Sequence, residues 1–300
     1  MFFRLPQYLF FTSLFLISCS KEHAKKNSSP EISPISITLS EEERQWMDKF
    51  FNDLLLESPA MYTIFGTKPI SGITIISASE EEWIESTKMH WQNAEEKEKN
   101  KIIQGTLEQC RECDLAVNWE KWIAWKKNHP ESPFLFVKHP TDSKNLFNAY
   151  VINAREVVCA MQKYYSLFAH ELGRDFDPLT ETLDFENPDS LFWNAIFKNH
   201  LLQGILYGFG EKNSYLFNQE TQLAESEKCP SGTPANHLIK EEETSSIETI
   251  RLPTFRSYAL PLEKDPVIAK YKKERDLIRT KLKEKNLTVE CINTMFETKN

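Results

Sequence analysis

The sequence predicts a mainly helical α+β protein with a small, three-stranded antiparallel sheet. Three observations lead to that class. Apolar residues recur at helical spacing through most of the chain after Ser40. Only three segments, residues 70–76, 134–137 and 146–152, are short and β-branched or alternating in the manner of strands. The chain also spends only 8 glycines against 20 phenylalanines and 7 tryptophans. That ratio argues against a dinucleotide-binding sheet, a propeller or a jelly roll, all of which use glycine freely in turns. With 300 residues, 40% of them hydrophobic, there is enough apolar surface to exclude a disordered chain. The formal charge of −8 gives no non-specific attraction to nucleic acid, so no nucleic-acid partner is expected.

The elements follow in order. Ser40-Glu41-Glu42-Glu43 is a capping box, in which the serine hydroxyl takes an orphan N–H and Glu43 reaches back. Behind it the pairs Trp46/Met47, Phe50/Phe51 and Leu54/Leu55 give a wide apolar stripe that ends near Ser58-Pro59. Ser79-Glu80-Glu81-Glu82 repeats the box and starts a second helix, expected to reach about Asn100. A third covers residues 119–128 and stops at His129-Pro130. Asn153 caps the next, with Val157, Met161, Tyr164 and Phe168 on its apolar face and Gly173 as its C′ residue. Residues 191–209 have little polar face and read as one central core helix. Residues 263–285 are charged nearly all round, and a last short helix covers 289–296. The polar residues 140–145 close a hairpin between the last two strands, and residues 229–254 read as a long exposed loop. No internal repeat is present.

The amino terminus carries the address. Met1-Phe2-Phe3-Arg4 is followed by an apolar stretch over residues 5–17 and then by Ser18 and Cys19. The stretch is short for a membrane span, which takes about 20 residues, and fits the apolar region of an export signal. Leu16-Ile17-Ser18-Cys19 resembles the lipobox of bacterial lipoprotein precursors. The resemblance implies a signal peptide at 1–18, cleavage after Ser18 and lipidation of Cys19, so the membrane is the expected partner. Two or more acyl chains, at about 0.8 kcal/mol per buried CH₂, make such an anchor effectively permanent. Residues 19–39, polar and interrupted by Pro30 and Pro34, read as a flexible tether, and 40–300 as a single globular domain. Ser20 stands where inner-membrane retention often uses Asp, so the outer membrane is favoured, with the domain facing the periplasm or the surface. Phe65-Gly66-Thr67-Lys68-Pro69 and Tyr207-Gly208-Phe209-Gly210-Glu211-Lys212-Asn213 resemble segments of uncharacterised lipoproteins of chlamydia-like bacteria. That resemblance implies an envelope lipoprotein and carries no catalytic residues.

Candidate sites are few. Cys110-Arg111-Glu112-Cys113 has the spacing of a redox pair or of half a zinc site, and in an oxidising periplasm a structural disulfide is the plainest reading. His170-Glu171 with Asp175 and Asp177 could assemble an acid–base or metal site, but Arg174 stands where a zincin needs its second histidine. A role at the helix end is the simpler expectation. Trp119, Trp122 and Trp125 alternate with lysines; Trp119 and Trp122 share a face with Ile123 and are expected in the core. Gly208-Phe209-Gly210 lacks the third glycine of a nucleotide loop and is expected to end a helix and turn the chain. The glutamate runs at 41–43 and 80–82 are first-turn residues, and that at 241–243 a solvated charge run. No cofactor or metal is expected. The sequence therefore points to a membrane-anchored envelope lipoprotein with a binding or structural role. One alternative is a periplasm-facing enzyme whose site is assembled from distant residues. Another is an adaptor that docks an envelope protein through residues 263–285.

Overall fold

Helix α1 (Glu41–Leu56) begins where the capping box sets it. The Ser40 N–H donates to Glu43 Oε2 at 2.7 Å, and the Glu43 N–H donates to Ser40 Oγ at 3.2 Å. Its apolar stripe, Met47, Phe50, Phe51, Leu54 and Leu55, is buried completely or nearly so. In this computed structural model the described residues are 37–56, 58–77, 80–91, 95–112, 114–129, 132–142, 146–223, 233–234 and 246–296. They belong to one compact unit, Ile35–Asn300. The expected signal peptide and most of the expected tether lie outside the described residues.

Three strands, β1 (Ile70–Ile76), β2 (Phe134–Pro140) and β3 (Leu146–Asn153), form an antiparallel sheet in the order β1-β3-β2. The class is therefore α+β, mainly helical, as the sequence predicts. The register pairs Ile70 with Ile152, Gly72 with Tyr150 and Thr74 with Asn148, and sets Val137 opposite Tyr150 on the other side. Because side chains alternate across a strand, the sheet separates two cores. Ile75, Phe136, Phe147, Ala149 and Val151 face the first, which holds Phe50, Trp119, Trp122, Tyr271 and Met295. Ile70, Val137, Tyr150 and Ile152 face the second, with Val157, Phe168, Trp193, Leu202 and Ile205.

The first core is built by α1, α2 (Ala60–Phe65), α5 (Leu115–Lys127), α12 (Pro266–Leu282) and α13 (Leu287–Phe296). The second is built by α6 (Ala154–Lys163), α7 (Tyr165–Leu172), α9 (Leu191–Lys198) and α10 (His200–Leu206), with α8 (Pro178–Leu183) packed against α6. Helices α3 (Glu80–His90), α4 (Glu96–Glu112) and α11 (Glu211–Gln222), the two-residue ladder β4 (Thr233–Pro234) and β5 (Arg256–Ser257), and single 3-10 turns at Asp184–Glu186, Ile247–Thr249 and Leu262–Lys264 complete the described elements. No helix among the described residues is long and apolar enough to cross a membrane.

Several elements depart from expectation. The single core helix over 191–209 is two, divided at Asn199, whose side-chain oxygen accepts the N–H groups of Leu201 and Leu202 at 3.0 and 3.1 Å. A residue offering its own acceptor to the next turn restarts a helix instead of continuing it. The helix expected from Asn153 to Gly173 breaks at Tyr164, although both ends stand as predicted. Asn153 Oδ1 accepts the Glu156 N–H, and Gly173 closes α7 at φ 65°. The helix expected to run from the second capping box to about Asn100 is instead α3, Glu80–His90, followed by the start of α4 at Glu96. Helix α12, expected to be charged all round, buries Ile268, Tyr271, Ile278 and Leu282 in the first core. A stripe already packed inward leaves a docking helix less to offer. Within the loop expected to be exposed, residues 229–232 and 235–245 lie outside the described residues. Ile250 and Leu252 at its end are core residues, because apolar side chains spaced two apart in extended chain face one way.

Candidate functional site

The two fragments that carry the lipoprotein resemblance lie 139 residues apart and meet at one side chain. Helix α2 ends at Phe65, and the chain folds back so that the N–H groups of Gly66 and Lys68 both donate to Tyr62 O, at 3.1 and 3.2 Å. A Cβ at Gly66 would come within 2.7 Å of Glu274 Oε2 and 2.8 Å of Tyr62 O, so only glycine permits this approach. The turn directs Lys68 beneath the start of β1. Its Nζ donates to Ile70 O at 2.5 Å and to Tyr207 O at 2.6 Å, and lies 5.2 Å from the ring centres of Tyr207 and Phe209.

Tyr207 and Phe209 belong to the turn after α10. That turn needs its glycines, as expected: Gly208 has φ 74° and Gly210 φ 78°. Gly208 O accepts the Tyr271 hydroxyl at 3.0 Å, and a Cβ at Gly208 would lie 2.3 Å from that oxygen. The turn is thus pinned from the first core while it holds the lysine from the second.

Lys68 is fully buried and has no carboxylate partner among the described residues. Burial, with a smaller contribution from the like charge of Lys270, lowers its pKa to about 7. Above it opens a cleft of about 460 Å³. Gly72 and Thr74 of β1 and Asn148 and Tyr150 of β3 form one wall, on the sheet face that the second core leaves uncovered. Tyr207, Phe209, Pro253, Thr254 and Pro59 complete it. Thr74 Oγ1 donates to Asn148 Oδ1 at 3.0 Å. The hydroxyls of Tyr207 and Tyr150 are hydrogen-bonded, and burial raises the pKa of both, so they stay protonated. Among the described residues, the lining holds hydroxyl, amide and aromatic groups with one amine and no acid. It suits a polar, uncharged small molecule.

A second cleft, of about 380 Å³, holds Glu156 and Glu274. Burial raises the Glu156 pKa, with Lys270 opposing and Glu274 reinforcing. Glu274 is already engaged by the Thr67 hydroxyl at 2.5 Å and by Lys270 at 3.8 Å. Its partners make it part of the scaffold around Gly66.

The residues singled out in the sequence do not converge. Cys19 and Cys113 lie outside the described residues, so the Cys110–Cys113 pairing does too; the backbone of Cys110 is in α4. Cys159 is exposed, and Cys291 is fully buried with its thiol pKa raised. His170 is exposed with Glu171 as neighbour at 3.4 Å. Asp175 accepts from Tyr165, and Asp177 caps α8. No group of three His, Cys, Asp or Glu able to hold a metal occurs among the described residues. Trp119 and Trp122 are wholly buried, as expected, and Trp125 nearly so. Sequence reasoning missed Lys68 as a site because a lysine between polar and glycine neighbours reads as solvated. The available signal was its position, held by Gly66 and Pro69 between an apolar helix and a β-branched strand.

No protein-family model matches the chain, and no curated protein or solved structure is detectably similar to it.

Proposed function

We propose that this protein is a bacterial envelope lipoprotein, anchored through acyl chains on Cys19 in the outer membrane, whose folded domain binds a small polar ligand in the cleft over Lys68. The observation that carries the binding half is the lysine itself. A buried amine without a counter-charge is expensive, and such groups concentrate where a ligand uses them. The shape and neutral polar lining of the cleft agree with that reading. Support for the anchoring half is Leu16-Ile17-Ser18-Cys19 behind a short apolar leader. A protein partner in the envelope belongs to the same reading, since a tethered binder must pass its ligand on or report its presence.

Each half has its own test. Growth of an expressing bacterium with an alkyne fatty acid is expected to label the protein, and Cys19→Ser to abolish the label and release the protein from the membrane fraction. For the cleft, native mass spectrometry of detergent-extracted protein is expected to reveal a small-molecule adduct. Thr74→Trp fills the cleft from an exposed strand position that tolerates an aromatic residue, and should remove that adduct. Identical spectra for both proteins would refute the binding half and leave the anchor standing.

A further inference from the structure

Lys68 Nζ has two hydrogen-bond acceptors, Ile70 O and Tyr207 O, and no third among the described residues. Two acceptors satisfy both N–H bonds of a neutral amine and leave its lone pair unused. An ammonium would turn its third N–H to the faces of Tyr207 and Phe209, a cation–π contact that offsets only part of the cost of full burial. Full burial and the like charge of Lys270 favour the uncharged form as well. A desolvated neutral amine is the form of lysine that attacks carbonyl carbon. Tyr207 and Phe209, whose rings flank Nζ, also line the cleft, so a ligand seated there lies next to the nitrogen.

We propose that the cleft takes a small, uncharged, hydroxylated aldehyde or ketone and that Lys68 holds it as an imine. This rests on the ligand-binding reading of the cleft and names its substrate class. The Nζ lone pair forms the C–N bond while the carbonyl π pair moves to oxygen. One proton passes from nitrogen to that oxygen, giving a carbinolamine. Loss of the hydroxyl with the second nitrogen proton, as water, then forms the C=N bond. No oxidant or reductant enters, and hydration reverses the step to release the ligand unchanged. The protonated hydroxyls of Tyr150 and Tyr207 and the Thr74 hydroxyl supply donors and acceptors for the carbinolamine and for the ligand's own hydroxyls. Among the described residues the lining carries no acid, which favours an uncharged ligand over an ammonium-bearing one.

The test uses glycolaldehyde with cyanoborohydride on the full chain in mild detergent at pH 7.5, followed by peptide mapping. Lys68 is expected to be alkylated at least about ten-fold faster than the exposed Lys121 and Lys127, its much larger free-amine fraction at that pH outweighing the slower access that burial imposes. Thr74→Trp should slow labelling of Lys68 about ten-fold and leave the surface lysines unchanged. Labelling of Lys68 more slowly than of Lys121 and Lys127 would overturn the imine. If the native adduct is still seen in that case, ligand binding survives and only the covalent step fails. Equal labelling of Lys68 in the wild type and in Thr74→Trp would show a route other than the cleft and would overturn the inference as well.

Discussion

Full burial of the Lys68 amine couples its protonation to folding, and denaturation can read that coupling. Its folded pKa of about 7 lies below its ordinary 10.5. Between those values the unfolded chain binds a proton that the folded chain does not. Stability therefore rises with pH across that window, with a limiting slope of about 1.4 kcal/mol per pH unit. Lys68→Met removes the titration while also leaving two carbonyls without their donor, so the informative quantity is the difference in slope. Chemical denaturation at pH 7, 8, 9 and 10 is expected to show the wild type gaining on Lys68→Met at each step. A constant difference would mean that the buried amine does not titrate in this range. Residues recognisable by local rules behave otherwise: Ser40, Asn153 and Gly173 do what their caps predict, because each acts within four residues of itself.

At the scale of the element, the turn after α10 decides whether the site exists. Gly208 sits in the left-handed region, and a Cβ there would collide with the Tyr271 hydroxyl. Gly208→Ala is expected to cost about 2–3 kcal/mol, combining backbone strain with displacement of Tyr271. Tyr271→Phe, which loses only the hydrogen bond to Gly208 O, should cost about 1 kcal/mol. Equal losses in denaturant midpoints would show that the close approach contributes nothing. Element boundaries were the least legible part of the sequence. A period of 3.6 continues through Asn199 and Tyr164, whereas the helices do not, because a side-chain acceptor or a packed neighbour ends them.

For the whole molecule, β3 is the shared wall of two cores, and this couples them. Ile152 is completely buried and faces the second core, while its neighbour Val151 faces the first. Ile152→Ala is expected to cost about 2–5 kcal/mol, with unfolding still a single transition by tryptophan fluorescence and by far-ultraviolet dichroism. Separate transitions by the two probes would mean that the sheet does not join the cores. Trp119, Trp122 and Trp125 of the first core and Trp193 of the second make fluorescence report on both.

The sequence by itself determined the class, the three strands and their hairpin, the first helix cap and the burial of Trp119 and Trp122. Each of these follows from apolar period and from groups that satisfy hydrogen bonds close by in the chain. Its amino-terminal segment also furnished the anchoring hypothesis. Only the tertiary structure decided that Lys68 is inside, that it leans on a carbonyl 139 residues away, and that a cleft opens beside it. Burial of a charged side chain is set by what the rest of the chain folds over it, and that sum of distant contacts leaves no periodic trace along the sequence.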